Sequence, residues 1–417
     1  MKIAIVSQYY RPENATITNS LAAGLTKRGH AVRVITGYPN FPSGRLYPGY
    51  RQRLCHRERD GGVDVRRVPI VVSHSQNPFG RIASYLSFAL SSFSAGRYIA
   101  DADVVYVYAT QMTAAIAPLV WSRSRRIPFV LHVQDLWPES ITGSSILKGR
   151  LAKRVVEAIL TPWLLLTYQA ASATVAIAPT MGAMLHARGV PVDKLHIVYN
   201  WNDDGADAGD TTATPSETDA GLTVTYAGNI GHLQDLATVI QAAHQVEDLV
   251  GFRLVLIGSG AASDELKKLA ERLGAKSVVF RDRIAPSDMR SVYMESDFQI
   301  ISLKNLKIFR GTIPSKLQAS LSHGVPVITT VPGDVASLVQ ANGIGLTAEP
   351  EDVGSLARAF RAAFAMTSKE RKSMGRRARQ YYQANMTSDA GVDAIERILV
   401  GAANARGAVQ RWPKRGV

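Results

Sequence analysis

The segment Arg310-Gly311-Thr312-Ile313-Pro314-Ser315-Lys316 carries the residue types that hold a diphosphate. It follows the apolar run Phe298–Ser302 and opens a helical pattern, with Pro314 suited to a first turn where its missing N–H costs nothing. The free amides of such a turn, together with the helix dipole, make an anion site. Lys304, Lys307, Arg310 and Lys316 gather around it, more cations than helix capping needs, so a diphosphate is favoured over a basic surface loop. Two glycine turns precede it. Thr223–Tyr226 runs into Ala227-Gly228-Asn229-Ile230-Gly231, and Leu254–Ile257 runs into Gly258-Ser259-Gly260. Glycine after a strand lets backbone approach a nucleotide closely, although α/β turns also carry glycine for steric reasons alone. Asp101-Ala102-Asp103 places two carboxylates near each other but before a strand, where they more naturally end the preceding helix. The histidines show no ligand spacing. No metal and no cofactor are expected.

Elements of two α/β units must position these residues. In the first half, β-branched runs at Lys2–Ser7, Ala31–Thr36, Val63–Pro69, Val104–Tyr108, Phe129–Val133, Thr174–Ile177 and His196–Val198 predict strands. Helical patterns at Thr18–Arg28, Ile82–Ile99 and Thr113–Ser122 lie between them. Strands this uniformly apolar belong to a parallel sheet covered on both faces. Residues 205–221 hold small, acidic, Thr and Pro residues and read as a linker or exposed loop. The pattern then restarts, with strands at Thr223–Tyr226, Arg253–Ile257, Val278–Phe280, Phe298–Ser302 and Val327–Thr329, and helices beginning near Asp235, Ala262, Pro286, Ser315 and Asp334. Helices at Glu351–Met366, Ser368–Asn385 and about Asp389–Ala403 close the chain. The expected domains are therefore 1–204 and 222–386, followed by a helix over 387–403 and a disordered basic tail over 404–417. Ligands of such units bind at the carboxyl ends of the strands, so the cleft between domains is the expected site.

The net charge of +14 is unevenly spread. Residues 1–205 hold 23 Lys+Arg against 12 Asp+Glu, and the remainder 25 against 22. A one-sided excess suits an anionic partner facing the first half, such as lipid headgroups, better than nucleic acid, which is not expected. Lys148-Gly149-Arg150-Leu151-Ala152-Lys153-Arg154 runs into Ala158–Leu166, a basic cluster before an apolar helix containing Trp163, which suits an interfacial anchor. Tyr85–Phe93, flanked by Arg81 and Arg97, offers a second contact, although long apolar helices also serve as core. One cysteine, Cys55, points to a reducing compartment. The opening apolar run is too short for a signal peptide, and no run reaches the ~20 residues that span a bilayer. The expected location is cytoplasmic, peripheral on the inner membrane face.

Longer strings resemble a known family. Gly311–Leu317 and then Ser322-His323-Gly324-Val325-Pro326-Val327-Ile328 look like the donor-site signature of the family 4 retaining glycosyltransferases. Ser7–Asn14, Thr36–Gly44, Tyr47–Tyr50, Val133-Gln134-Asp135-Leu136-Trp137-Pro138-Glu139-Ser140 and Pro191–Trp201 resemble its colanic-acid and O-antigen fucosyl- and N-acetylfucosaminyltransferase (WbuB-type) branch. The resemblance implies a GT-B fold, two Rossmann-like α/β domains with a C-terminal helix crossing back to the first. It places the acceptor on the first domain and a UDP- or GDP-sugar on the second. By position, Arg283 and Ile284 face the base, while Gly228, Asn229, Gly258 and Arg310, Gly311, Thr312, Pro314, Ser315 and Lys316 surround the phosphates. Arg11, Asn14 and Trp137 fall to the acceptor, the loop Arg11–Asn14 closing over the reacting centre. The chain departs from the family where two glutamates usually stand, at Gly311 and Ala319.

Retaining transfer needs a stabilised leaving diphosphate and an acceptor hydroxyl on the same face of the sugar, and no paired carboxylates. Asp135, after the strand Phe129–Val133, is the first candidate to orient that hydroxyl, with Glu139 and Glu13 next; capping a helix is the alternative for a carboxylate so placed. The acceptor expected is a saccharide, lipid-linked, in surface polysaccharide synthesis. Three alternatives stay open: a soluble transferase of a small secondary metabolite, a nucleotide-sugar 2-epimerase, and a degenerate nucleotide-sugar-binding protein, which Gly311 and Ala319 make worth carrying.

Overall fold

The computed structural model describes residues 1–72, 78–137, 150–201, 221–285 and 288–410. The chain divides into two units, 1–200 with 388–417, and 201–387.

In the first unit, eight strands form one sheet: β1 (Lys2–Val6), β2 (Ala31–Gly37), β3 (His56–Asp60), β4 (Val63–Val68), β5 (Val104–Ala109), β6 (Phe129–Val133), β7 (Ala173–Ala176) and β8 (Leu195–Ile197). Their order is β3-β4-β2-β1-β5-β6-β7-β8, parallel throughout except for β3 against β4. Strand order reverses between β1 and β5, the switch point where such sheets bind ligands. β1, β5 and β6 bury nearly every residue, which is why they read as continuous apolar runs. Helices α1 (Thr16–Lys27), α2 (Pro78–Ser92), α3 (Ile116–Ser124), α4 (Arg150–Ala170) and α5 (Pro179–Ala187) cover the sheet. α1 buries Ile17, Thr18, Leu21, Ala22 and Leu25, one stripe at helical spacing. Right-handed crossovers send α1 to one face, and reversal of the strand order sends α2 to α5 to the other.

Six parallel strands build the second unit: β9 (Leu222–Ala227), β10 (Phe252–Ile257), β11 (Val278–Arg281), β12 (Phe298–Ile301), β13 (Val327–Thr329) and β14 (Gly345–Thr347), in the order β11-β10-β9-β12-β13-β14. Here the reversal lies between β9 and β12. Helices α6 (Leu236–His244), α7 (Ser263–Leu273), α8 (Met289–Met294), α9 (Ser315–Ser322), α10 (Asp334–Asn342), α11 (Val353–Ala365) and α12 (Ser368–Asn385) complete it. One core joins Val224, Tyr226, Leu254 and Leu256 to Val239 and Phe360, so α6 and α11 seal one face. A capping box of Thr367 and Glu370 starts α12. The last helix, α13 (Ser388–Gln410), belongs to the first unit and packs along α1.

Several boundaries differ from the sequence reading. β3 was not anticipated: its string His-Arg-Glu-Arg-Asp has no apolar face, because it is an edge strand returned by Gly61-Gly62, both at positive φ. α2 spans Pro78–Ser92 rather than reaching Ile99, and a short 3₁₀ turn, Phe93–Ala95, follows it. Pro314 precedes α9 as its N-cap instead of lying in the first turn. The tail expected to be disordered from Asn404 is helical through Gln410, because α13 continues that far; residues 411–417 lie outside the described residues. The expected linker 205–221 lies outside them up to residue 220.

Candidate functional site

The second unit gathers the expected diphosphate residues at the switch point between β9 and β12. Gly228 follows β9 and Gly258 follows β10, with φ of 138° and 142°. Their backbones touch: a Cβ on Gly258 would fall 1.9 Å from the Gly228 carbonyl oxygen, and one on Gly260 would fall 2.3 Å from that of Ile230. Close approach of two backbones, beyond turn geometry, therefore requires glycine here. A Cβ on Gly228 would also meet Lys316, 2.6 Å from Cε and 2.8 Å from Nζ.

Lys316 is the centre of this half-site. It sits in the first turn of α9, half-buried, its ammonium 5.0 Å from the centroid of the Tyr226 ring. The Tyr226 hydroxyl donates to the Asn229 carbonyl at 2.5 Å, fixing the ring and the turn together. Burial lowers the Lys316 pKa. Among the described residues no carboxylate pairs with it, so the ammonium gains a cation–π contact and the open glycine turn but no counter-charge. No side chain caps α9, whose leading amides end beside it. Asn229 and Ser315 are exposed, and Thr312 half-buried.

Other predicted donor residues fall into place less uniformly. Gly311 ends a 3₁₀ turn, Lys307–Gly311, and Arg310 is exposed on it. The Arg310 carbonyl lies against Gly333, at φ 80°, where a Cβ would come within 2.3 Å. Lys304 donates its backbone N–H to Leu233 at 3.0 Å. Ile284 packs against Ala227, Val255, Ile257 and Val292, while Arg283 beside it is exposed. Asp235 was missed except as a helix start. It is left-handed at φ 50°, one carboxylate oxygen is buried without a partner, and burial raises its pKa against the pull of Lys304. A non-glycine residue held at positive φ directly after a glycine turn is visible only in the structure.

The first unit assembles a second group at the carboxyl ends of β1, β5 and β6. Asp135 follows β6, open to solvent yet surrounded by enough protein that desolvation raises its pKa, with the Arg81 charge acting in the opposite direction. Its charge in turn helps push the Tyr108 hydroxyl up, after burial. Tyr9 is raised by burial and by Tyr85 and Glu13, and lowered by Arg81, so Arg81 serves two groups at once. Arg81 was read only as a flank of a membrane contact. Its closeness to Asp135 depends on how α2 packs on the sheet.

Glu13 links its own loop to the one holding Asn40 and Phe41. It is buried, and its Oε1 accepts the backbone N–H groups of Asn40 and Phe41, each at 2.8 Å, leaving Oε2 without a partner. Burial raises its pKa although those amides oppose the rise. Arg67, unremarked in the sequence, ties the same loops. Fully buried on β4, it donates to Glu58 (Nε, 2.8 Å), the Gly37 carbonyl (3.1 Å) and the Arg11 carbonyl, and lies over the Tyr50 ring at 4.9 Å. Arg11 also pairs with Asp60 at 3.4 Å, and Asn14 is exposed, accepting from the Thr16 hydroxyl at 3.2 Å. Trp137 is buried to 5 % exposure, and its carbonyl accepts from Arg188 at 3.0 Å. Glu139 lies outside the described residues. Asp101 is held by Lys2 and Arg33, which keep its carboxyl well below the usual range.

Comparison with known proteins agrees with both halves. The model of the glycosyl transferase 4-like domain matches residues 15–201, and that of the glycosyl transferases group 1 matches residues 215–381. The chain is 26% identical over 385 residues to the putative colanic acid biosynthesis glycosyl transferase WcaI of Escherichia coli (strain K12), covering 87% of this chain and 92% of that one. Anabaena Alr3699/HepE, solved in complex with UDP and glucose, superposes with a TM-score of 0.61 at 16% identity over 96% of this chain and 99% of the other. Sucrose-phosphate synthase from Thermosynechococcus elongatus superposes at 0.68 and 15% identity, over 97% and 99%.

Proposed function

We propose that this chain, a glycosyltransferase of the GT-B type, moves a sugar from a UDP- or GDP-sugar, with retention of configuration, to a lipid-linked saccharide in surface polysaccharide assembly. The observation that carries this reading is Lys316, a half-buried cation without a counter-charge, set against the Gly228 turn and the uncapped start of α9. A buried ammonium lacking an anion is costly, and a diphosphate supplies two or more negative oxygens to it and to the adjacent amides. The UDP bound in the Anabaena relative supports the donor class, and the role in the name of the Escherichia coli relative supports the pathway and, more finely, the colanic-acid branch.

In the transfer, the bond from sugar C1 to the departing phosphate oxygen breaks while C1 bonds to the acceptor oxygen on the same face. The acceptor's proton passes to the departing phosphate oxygen. Lys316 and the α9 amides stabilise the charge that grows on the diphosphate, without a metal ion. Asp135 orients the acceptor hydroxyl; Glu13 and Arg67 act one step back, by holding the loops of residues 11–14 and 37–41. The acceptor's lipid places the enzyme at an anionic cytoplasmic membrane face.

A binding-only reading is favoured by one observation, Gly311 and Ala319 standing where the family carries glutamates. One experiment separates the two. Purified protein is screened by thermal shift against UDP-, GDP-, TDP- and CMP-sugars, and the product of the stabilising donor is examined by NMR. Stabilisation by one nucleotide family and a product of retained anomeric configuration, undiminished by EDTA, is expected. A donor that stabilises but never turns over leaves the binding-only reading, and an inverted product overturns the mechanism.

A further inference from the structure

The helices of the first unit differ sharply in what they show to solvent. Among the described residues, every large apolar side chain exposed on an α-helix lies on α2, α3 or α4: Leu86, Leu90, Val120, Ile159, Leu165 and Leu166. None lies on α1 or α13, which pack together on the other layer and carry the Arg28–Glu396 and Arg28–Asp393 ion pairs. Leu86 and Leu90 stand four residues apart, and Phe93, exposed on the 3₁₀ turn that follows, continues their line. Leu90 is 68% exposed and Ile159 67%, the most exposed large apolar side chains on any α-helix among the described residues.

The three helices form one continuous layer. α2 packs on α3, and α3 on α4. The end of α3 also meets the turn that follows α2, where Arg125 Nη2 would lie 3.5 Å from a Cβ on Gly96. Around the apolar residues stand exposed Arg81, Arg97, Arg123, Arg125, Arg126 and Arg154. The three helices contain one acidic residue, Glu157. Trp163, expected from the sequence to anchor the face, is instead partly covered, and Leu164 beside it is buried. The apolar contact therefore falls to aliphatic side chains on α2 and α3 as much as to α4, and among the described residues no helix is long and apolar enough to cross a membrane.

We infer that the outer layer of α2, α3 and α4 is a docking surface for an anionic lipid bilayer, with Leu86, Leu90, Val120 and Ile159 entering the interface and the arginine rim meeting the headgroups. Exposed aliphatic side chains together with exposed arginines, on helices that hold a single acidic residue, are complementary to a lipid surface in both charge and polarity. A second copy of this chain, meeting through the same apolar residues, is the competing occupant. The inference rests on the proposed membrane-bound acceptor and names the face that meets that membrane.

The test uses the full chain and vesicles of phosphatidylcholine with or without phosphatidylglycerol. Wild type is expected to sediment with the anionic vesicles and far less with the neutral ones. The pair Leu90→Glu and Ile159→Glu is expected to weaken that binding at least tenfold, with thermal stability and UDP binding unchanged. In a Cys55→Ser background, a polarity-sensitive dye on Leu90→Cys is expected to shift to the blue on anionic vesicles, and the same dye on Lys27→Cys, on α1, to stay unchanged. Anionic binding that survives the double substitution, or a shift at Lys27→Cys instead of Leu90→Cys, overturns the choice of face while leaving the membrane reading intact. No binding to any vesicle, together with self-association lost on the double substitution, overturns the lipid occupant in favour of protein contact. Neither result touches the donor reading, which the UDP titration measures separately.

Discussion

Asp135 has a carboxyl raised by burial, with Arg81 pulling the other way, and among the described residues it takes no amide that would mark it as a helix cap. If its ionised form orients the acceptor, turnover climbs with pH through that raised pKa, so the acid limb of the pH profile stands above the ordinary aspartate value of about 3.9. Asp135→Asn is expected to lower kcat at least tenfold, to abolish that limb and to leave donor affinity unchanged. Stability follows the opposite sign. A raised folded pKa contributes stability that is fully present below the ordinary value and is lost as pH rises through the folded one, so at neutral pH the variant melts no lower than wild type. A sharply lower Tm would point to a structural role instead. Arg67 is the contrasting case, a buried guanidinium with acceptors on Glu58, Gly37 and Arg11. Lysine presents no planar fork, so Arg67→Lys leaves acceptors unpaired and is expected to cost about 2–4 kcal/mol in urea unfolding.

At the scale of elements, α13 and α1 are joined by a small charged network. Glu396 accepts from Arg28 at 2.7 Å and contacts His30 Nε2 at 2.6 Å; the hydrogen bonds from His30 and then Arg28 hold its carboxyl below the usual range. These groups are about three-quarters covered, so Glu396→Gln is expected to cost about 1–2 kcal/mol at pH 7. Because the folded pKa is lowered, this stability is present above the ordinary glutamate value of about 4.3 and is lost as pH falls through the folded one. The Tm gap between variant and wild type should therefore close as pH drops through that window, and a constant gap would contradict the pairing. Elements with two covered faces or one apolar stripe were legible in the sequence: β1, β5, β6, β9, β10 and α1 announce themselves by residue type. β3 was not, since its charged residues state only that it is an edge, and its strand character comes from the Gly61-Gly62 return onto β4. The 3₁₀ turn Lys307–Gly311 and the N-cap position of Pro314 were hidden for a similar reason, local backbone choices made by packing against Gly333 and Gly228.

Across the whole molecule, the alternation of strand and helix patterns made the α/β class of both units legible, but not which side chains each unit buries. The basic excess of the first half includes exposed arginines on and beside α2, α3 and α4, namely Arg81, Arg97, Arg123, Arg125, Arg126 and Arg154. The cations of the second unit, four in one string, separate into exposed Lys307 and Arg310 and half-buried Lys304 and Lys316, and the contacts with Tyr226 and the Gly228 turn single out the last. Glu13 and Trp137 show the converse, residues whose types suggested contact with substrate and whose side chains are buried. The most direct test is calorimetric titration of wild type and Lys316→Ala with the preferred nucleoside diphosphate and the matching monophosphate. Wild type is expected to bind the diphosphate more tightly, and the variant to lose at least tenfold for the diphosphate while keeping its monophosphate affinity, as removal of one charge-assisted phosphate contact requires. Equal affinity of wild type and variant for the diphosphate would contradict the placement of the donor at Lys316.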